Sequence, residues 1–299
     1  MIQEWRGFIQ KRNDGSEKVN YDNPDFSSYI YRGWIVPDAT WANDPHFHGD
    51  VELLCVTSGS MAYSVDGKEI PLNEGDTIFV NSGHIHYSIP TTKERANYVI
   101  TVFHPRILCA SNVVESKYIQ SVTENTNIPY ILFKSDDPLG YKIHEEMLKL
   151  PEYLGNEFLI TKHYYEIWED IYNKCLIFRP NENYSYSDSQ VSTLKIMLAF
   201  IKEEYSNPIT LDDIAGAGNV SKTFCNTLFN KYTDQTPIEN LTRFRVGKVA
   251  DLLREGDLSM SEIAFKTGFS SQSYMSETFR KYYGESPKEF RKKAIWTEA

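Results

Sequence analysis

The chain has 299 residues, enough for about two domains, because single hydrophobic cores stop growing beyond roughly 250 to 300 residues. Its composition, 41% hydrophobic, 24% charged and 14% aromatic, excludes a disordered or collagen-like chain, and no run of about 18 apolar residues marks a membrane span. The net charge of −10 argues against a broadly basic nucleic-acid binder, but it is unevenly placed: residues 1–190 sum to −11 and residues 191–299 to +1.

The opening MIQEWRGFIQKRNDG has no apolar core of an export signal, so a cytoplasmic location is expected. Cys55, Cys109, Cys175 and Cys225 lie far apart without a C-x-x-C pairing, which predicts reduced thiols rather than a disulfide framework or a cysteine zinc cluster. From about residue 30 to 105 short β-rich runs alternate with turns: VELLCVTSG, MAYSV, an Asp66-Gly67 hairpin signal, KEIPLNEG, DTIFV and NYVITVF. They predict an antiparallel barrel or sandwich.

After Pro105 the periodicity changes, and between Pro138 and Phe178 apolar residues recur at helical spacing, among them Phe158, Tyr165, Trp168, Ile171, Tyr172 and Cys175. Stripes of this kind ordinarily face a core, although the one on residues 154–177 also suits a second subunit. NENYSYSDSQ, residues 181–190, has no periodicity and coincides with the charge shift, which predicts a linker. Beyond it Leu194, Met197, Leu198, Ile201 and Tyr205 form one helical stripe that ends before Asn207-Pro208.

The strongest internal feature is a repeat. IAGAGNVSKTFCNTLFNKYTDQTP (214–237) returns as IAFKTGFSSQSYMSETFRKYYGESP (263–287), offset by 49 residues at Ile214/Ile263 and by 50 at Phe229/Phe279. Each copy opens on a capping pattern, Thr210-x-x-Asp213 or Ser259-x-x-Glu262, then gives a short helix with Ile-Ala, a small-residue turn, a Ser and a second helix. That is the logic of helix-turn-helix units, at about 210–232 and 259–283. Phe224, Leu228 and Phe229, matched by Tyr274, Thr278 and Phe279, are expected beneath the second helices.

Lys222, Thr223 and Asn226, and in the second copy Gln272, Ser273, Ser276, Arg280 and Lys281, are expected on the open face, where short polar and cationic groups suit base edges and phosphates. Ser221 and Ser271 start the two helices, whose free N–H groups favour a phosphate. Residues 237–256 read as a connecting helix. Holding the two recognition helices about one DNA turn, roughly 34 Å, apart would let both enter one face of a duplex. Arg243, Lys248, Arg291, Lys292 and Lys293 are further candidates for the DNA backbone.

SMSEIAFKTGFSSQSYMSETFRKYYGESPKEFRK resembles the signature region of the AraC/XylS family of transcription regulators, and the likeness extends over residues 190–293. His46-x-His48-x3-Glu52-x6-Gly59, followed by Gly75-x5-Asn81-x-Gly83-x2-His86, resembles the two motifs of the cupin β-barrel. The second resemblance implies a divalent metal site at His46, His48, Glu52 and His86, of the kind that suits Zn, Fe, Mn or Ni. The same residues also suit a polar effector pocket without a required cofactor, lined further by Trp41, Phe47, Tyr63 and Tyr87.

Together these imply an α+β multidomain chain: a cupin-like effector-sensing antiparallel β-barrel (1–135), a helical connector for homodimerisation (136–180), a linker (181–190) and an all-α DNA-binding domain (191–299). The resemblance further implies an activator that binds promoter DNA and a small molecule such as a sugar, works with RNA polymerase, needs no membrane and is not an enzyme. Two alternatives stand beside it. One is a cupin metalloenzyme with a helical appendage, and the other is a DNA-binding protein whose barrel only dimerises.

Overall fold

The computed structural model describes residues 10–11, 16–37, 44–90, 95–177, 188–256 and 258–297. Most of the 181–190 linker lies outside them, as does Trp41. The chain divides into two compact units, the first running through Ser187 and the second made of Asp188–Ala299 with a short N-terminal piece.

After a two-residue strand β1 (Gln10–Lys11), the first unit carries β2 (Glu17–Lys18), β3 (Ser28–Ile35), β4 (Val51–Ser58), β5 (Ser60–Val65), β6 (Lys68–Asn73), β7 (Thr77–Val80), β8 (His86–Pro90) and β9 (Ala96–Phe103). Short helical turns α1 (Asn112–Val114) and α2 (Gln120–Thr123) lead to one further strand, β10 (Tyr130–Phe133), and to helices α3 (Pro138–Lys149) and α4 (Glu157–Ile177). A five-stranded antiparallel sheet, in the order β10-β7-β4-β9-β3, faces a three-stranded one, β6-β5-β8.

Alternation along β4 assigns its side chains to two cores. Leu54 and Val56 join Tyr63, Val65, Ile78 and Val80 between the sheets. Val51, Leu53 and Cys55 face outward, onto Ile143, Met147, Tyr164, Ile167 and Trp168 of α3 and α4. Because β4 is buried on both faces from Val51 to Val56, that run is continuous in apolar residues except at Glu52.

The second unit is helical: α5 (Asp188–Glu204), α6 (Leu211–Ala217), α7 (Lys222–Thr233), α8 (Pro237–Glu255), α9 (Met260–Lys266), α10 (Gln272–Tyr283) and α11 (Pro287–Thr297). Capping boxes start α6 at Thr210/Asp213 and α9 at Ser259/Glu262, as their sequence predicts, and a third starts α8 at Thr236/Glu239. Val246, Val249, Ala250 and Leu253 of α8 are buried with Ile263, Ala264, Phe269, Met275 and Phe279. Among the described residues no helix is long and apolar enough to cross a membrane, and the four cysteines are free thiols.

Candidate functional site

The pairs α6–α7 and α9–α10 repeat one construction. In each turn a backbone N–H reaches back to the alanine of the short helix, Val220 to Ala215 (3.0 Å) and Phe269 to Ala264 (2.9 Å). Each turn passes through a positive-φ residue, Asn219 (φ 51°) or Gly268 (φ 74°), and each second helix ends on another, Asp234 or Gly284. Ala215 and Ala264 are buried at the helix crossings. Ser221 and Ser271 cap α7 and α10, their hydroxyls accepting from the N–H of Phe224 and Tyr274 at 3.2 Å.

Residue by residue, the burial sequence of 221–230 is the same as that of 271–280. Cys225, Leu228 and Phe229 turn inward in one copy, and Met275, Thr278 and Phe279 in the other. The outward face therefore carries Ser221, Lys222, Thr223, Phe224, Thr227 and Asn230, and in the second copy Ser271, Gln272, Ser273, Tyr274, Glu277 and Arg280, followed by Lys281. This corrects the expected phase. Phe224 (37% exposed) and Tyr274 (50%) do not fill the space beneath the helices but stand on the open face, because Cys225 and Met275 already occupy the inward position. Asn226 and Ser276 are half-buried at its edge, and Asn226 bonds the carbonyl of Lys222 in its own helix. Thr227 and Glu277 were missed; comparing the spacing of the inward residues in the two copies would have found them.

Several cations expected at the DNA backbone have other work. Arg291 donates to the carbonyl of Leu258 at 2.7 Å, Lys248 pairs with Asp251, and Arg243 lies over the Tyr282 ring. Lys222 pairs with Asp212 at 2.7 Å, while Arg280, Lys281 and Lys292 are exposed. Nothing is described of the Lys293 side chain.

In the first unit, His46, His48, Glu52 and His86 converge, with one ligand atom from each lying within 4.8 Å of all the others. β4 supplies Glu52, β8 supplies His86, and a backbone bridge between His46 and His86 holds the preceding loop. Each imidazole is oriented in the same way: Nδ1 of His46 meets the carbonyl of Asp44 (2.9 Å), that of His48 the carbonyl of Asp50 (3.0 Å), and that of His86 the carbonyl of His84 (2.8 Å). A carbonyl can only accept, so Nδ1 carries the hydrogen in all three and Nε2 presents a lone pair when the ring is neutral. The Nε2 atoms of His48 and His86 lie 3.6 and 3.5 Å from Glu52 Oε2, and that of His46 lies 3.6 Å from Glu17. His86 Nε2 is buried without a hydrogen-bond partner.

Tyr63 donates its hydroxyl to the other oxygen of Glu52. Burial pushes the Glu52 carboxyl upward, but the neighbouring His86 and His48 imidazoles more than reverse this and hold it well below the usual carboxylate range. Tyr63, buried and beside that carboxylate, is pushed far upward. Tyr87 is not part of the cluster. It is the register partner of Ser64, on the opposite face of its sheet from Tyr63 and His86. His84 is held by Asp66 at 2.6 Å, and His104 caps a helical turn. A second cluster, Glu146, His163 and Glu166, is a balanced ion network in which Lys149 and Lys162 pair with the two carboxylates.

Comparison with known proteins matches a helix-turn-helix domain to residues 214–293 and a cupin domain to residues 34–103. The HTH-type transcriptional regulator YdeC of Bacillus subtilis is 24% identical over 253 residues, covering 83% of this chain and 85% of that protein. The melibiose operon regulatory protein of Escherichia coli is 24% identical, covering 83% of each chain. The HTH-type transcriptional activator RhaR of Mannheimia succiniciproducens is 22% identical, covering 84% and 87%.

Proposed function

We propose that the chain is an activator of the AraC/XylS type whose two recognition helices, α7 and α10, read promoter DNA under the control of a small polar effector held in its cupin-like barrel, a reading supported by the helix-turn-helix and cupin matches and by the regulators similar to it over both units. The observation that carries the DNA reading is the repeated burial register of 221–230 and 271–280, which leaves two matched polar faces with capped N-termini. Ser221, Lys222 and Thr223, and Ser271, Gln272, Ser273, Arg280 and Lys281, are the contacts proposed from that face. The relatives spanning both units are transcription regulators, which decides against the metalloenzyme alternative. RhaR, an activator by name, supports the direction of control; a contact with RNA polymerase, made in the cytoplasm, is part of the same proposal.

The effector site is His46, His48, Glu52, Tyr63 and His86. Buried polar groups at the end of an apolar core offer orientation and selectivity to a hydroxyl-rich ligand such as a sugar. A divalent cation is a second reading, favoured by the three Nδ1 anchors, which fix the ring tautomers as in metal sites, and by the orphaned Nε2 of His86. The four residues would then be its ligands, and the cation would supply Lewis-acid attraction for an effector oxygen.

Helix α4 supports a homodimer. Phe158, Lys162, Tyr165, Glu169 and Leu176 follow one outward stripe, and Phe158 is 80% exposed. Antiparallel pairing would set the Phe158 end of one helix against Leu176 of the partner subunit and bring Lys162 near Glu169 of the partner subunit.

Binding to the DNA upstream of the chain's own gene, measured by fluorescence anisotropy across a salt series, tests the function. Sequence-selective binding that Gln272→Ala and Arg280→Ala each weaken by about 1 to 3 kcal/mol is expected. Weak binding indifferent to sequence at low salt would overturn it.

A further inference from the structure

At the centre of the matched faces of α7 and α10, one copy carries an anion and the other a neutral group. Positions 227 and 277 are the exposed residues one helical turn beyond 223–224 and 273–274, and one turn before 230–231 and 280–281. In a recognition helix lying in the major groove the N-terminal half contacts the base edges, and 227 and 277 are the sixth residues of α7 and α10. The first copy has Thr227 there and the second has Glu277.

The Glu277 side chain is exposed and makes no hydrogen bond or ion pair with the described residues, although Arg280 and Lys281 lie within one turn of it. A carboxylate on a face that meets phosphates is repelled by them unless it finds a donor. Two bases offer an amino donor in the major groove. Adenine sets its N6 beside the acceptor N7, which opposes the second carboxylate oxygen, whereas cytosine offers its N4 amino group with no acceptor on the same base. Thr227 is matched to a different base. Its hydroxyl donates to the carbonyl of Thr223 at 3.0 Å, which ties the oxygen to the helix and leaves the methyl group for the groove. Phe224, exposed one turn earlier, adds a second apolar group suited to a thymine methyl.

We propose that Glu277 sets the base specificity of the second helix-turn-helix unit by accepting a hydrogen bond from cytosine N4, while Thr227, its counterpart in the first unit, selects thymine through its methyl group. This rests on the DNA-reading function above and adds the base that each unit selects.

The test is selection from a library of random DNA duplexes with the full-length chain, sequencing the bound pool for wild type, Glu277→Gln and Thr227→Ser. Both substitutions nearly preserve shape on an exposed position. Wild type should enrich a motif with cytosine at one position. Glu277→Gln should change that position alone, losing about 5- to 100-fold of the cytosine preference and moving toward adenine, which glutamine can bond at N6 and N7. Its affinity for unselected duplex should rise, because a charge facing phosphates is gone. Thr227→Ser should keep the cytosine and lose a thymine elsewhere in the motif. An unchanged motif from Glu277→Gln, with or without weaker binding overall, overturns the assignment. If wild type enriches no motif at all, the DNA-reading function fails and the assignment falls with it.

Discussion

Gly268 and Gly284 share one backbone twist, φ +74° and +71°, in contrasting surroundings. A Cβ on Gly284 would meet nothing within 4 Å, so Gly284→Ala should cost the left-handed penalty alone, about 1 to 2 kcal/mol. A Cβ on Gly268 would lie 2.4 Å from the carbonyl oxygen of Tyr205 and 3.0 Å from Arg245 Nε. That carbonyl cannot swing aside cheaply, because Arg245 Nε donates to it at 2.7 Å while Arg245 Nη2 donates to the carbonyl of Asn207 at 2.7 Å. Relieving the overlap means giving up at least one charge-assisted bond, worth about 1.5 to 3 kcal/mol, on top of the same left-handed penalty. Gly268→Ala should therefore destabilise the second unit by about 3 to 5 kcal/mol, exceeding Gly284→Ala by about 2 to 3. Urea unfolding of the full chain, followed by hydrogen exchange in peptides from α5 to α11, separates this unit from the barrel. Equal costs for the two alanines, within about 0.5 kcal/mol, would refute the claim that the turn is held by close approach to the end of α5.

Two further outcomes follow from the first unit. Phe158→Asp should convert a dimer into a monomer in analytical ultracentrifugation while leaving thermal unfolding of the barrel unchanged, since Phe158 is exposed; a dimer that persists would remove α4 as the interface. Asp76 accepts from Lys134 Nζ (2.7 Å) and from the backbone N–H groups of Asn73 and Ser135. Burial alone would raise its pKa, but Lys134 and these amides more than reverse that and leave it depressed in the folded state. Its contribution is therefore full above the unfolded value of about 3.9 and lost as the pH falls through the folded value. Thermal unfolding from about pH 6 to pH 3 should show Asp76→Asn less stable at the upper end and less sensitive to acid; parallel pH profiles would refute this.

What was legible in the sequence was what local pattern carries. The repeat, the capping boxes at Thr210 and Ser259 and the spacing of His46, His48, Glu52 and His86 each depend on residues close in the chain or on a motif of fixed spacing. β10 was not legible, because it follows two helical turns and is a strand only through its pairing with β7, Tyr130 opposite Val80 and Phe133 opposite Thr77. Tyr87 was assigned to the pocket for its aromatic ring, yet it follows His86 in β8, and adjacent residues of a strand point to opposite faces. On α7 and α10, aromatic character suggested burial for Phe224 and Tyr274, but helix phase is set by the whole stripe.

The same limit applies to charge, and it changes what the DNA-binding unit can be expected to do. Arg245 and Arg291 spend their guanidinium groups on carbonyls, and Lys222 and Lys248 on carboxylates. Of the candidate cations whose side chains are described, Arg280, Lys281 and Lys292 are the exposed ones with no such partner. About three phosphate contacts per chain release few counterions, and at about 0.9 per contact the logarithmic salt slope for one chain should be near −3. Non-specific attraction is then weak, and affinity must come mainly from base edges and from the capped N-termini of α7 and α10, to which the proposed dimer would add a second chain's contacts. Anisotropy titrations of unselected duplex between about 50 and 200 mM salt measure this directly. A slope near −5 per chain, the value for about six contacts, would mean that Arg245, Lys248 and Arg291 leave their partners for phosphates, and that they had been wrongly assigned to holding the fold.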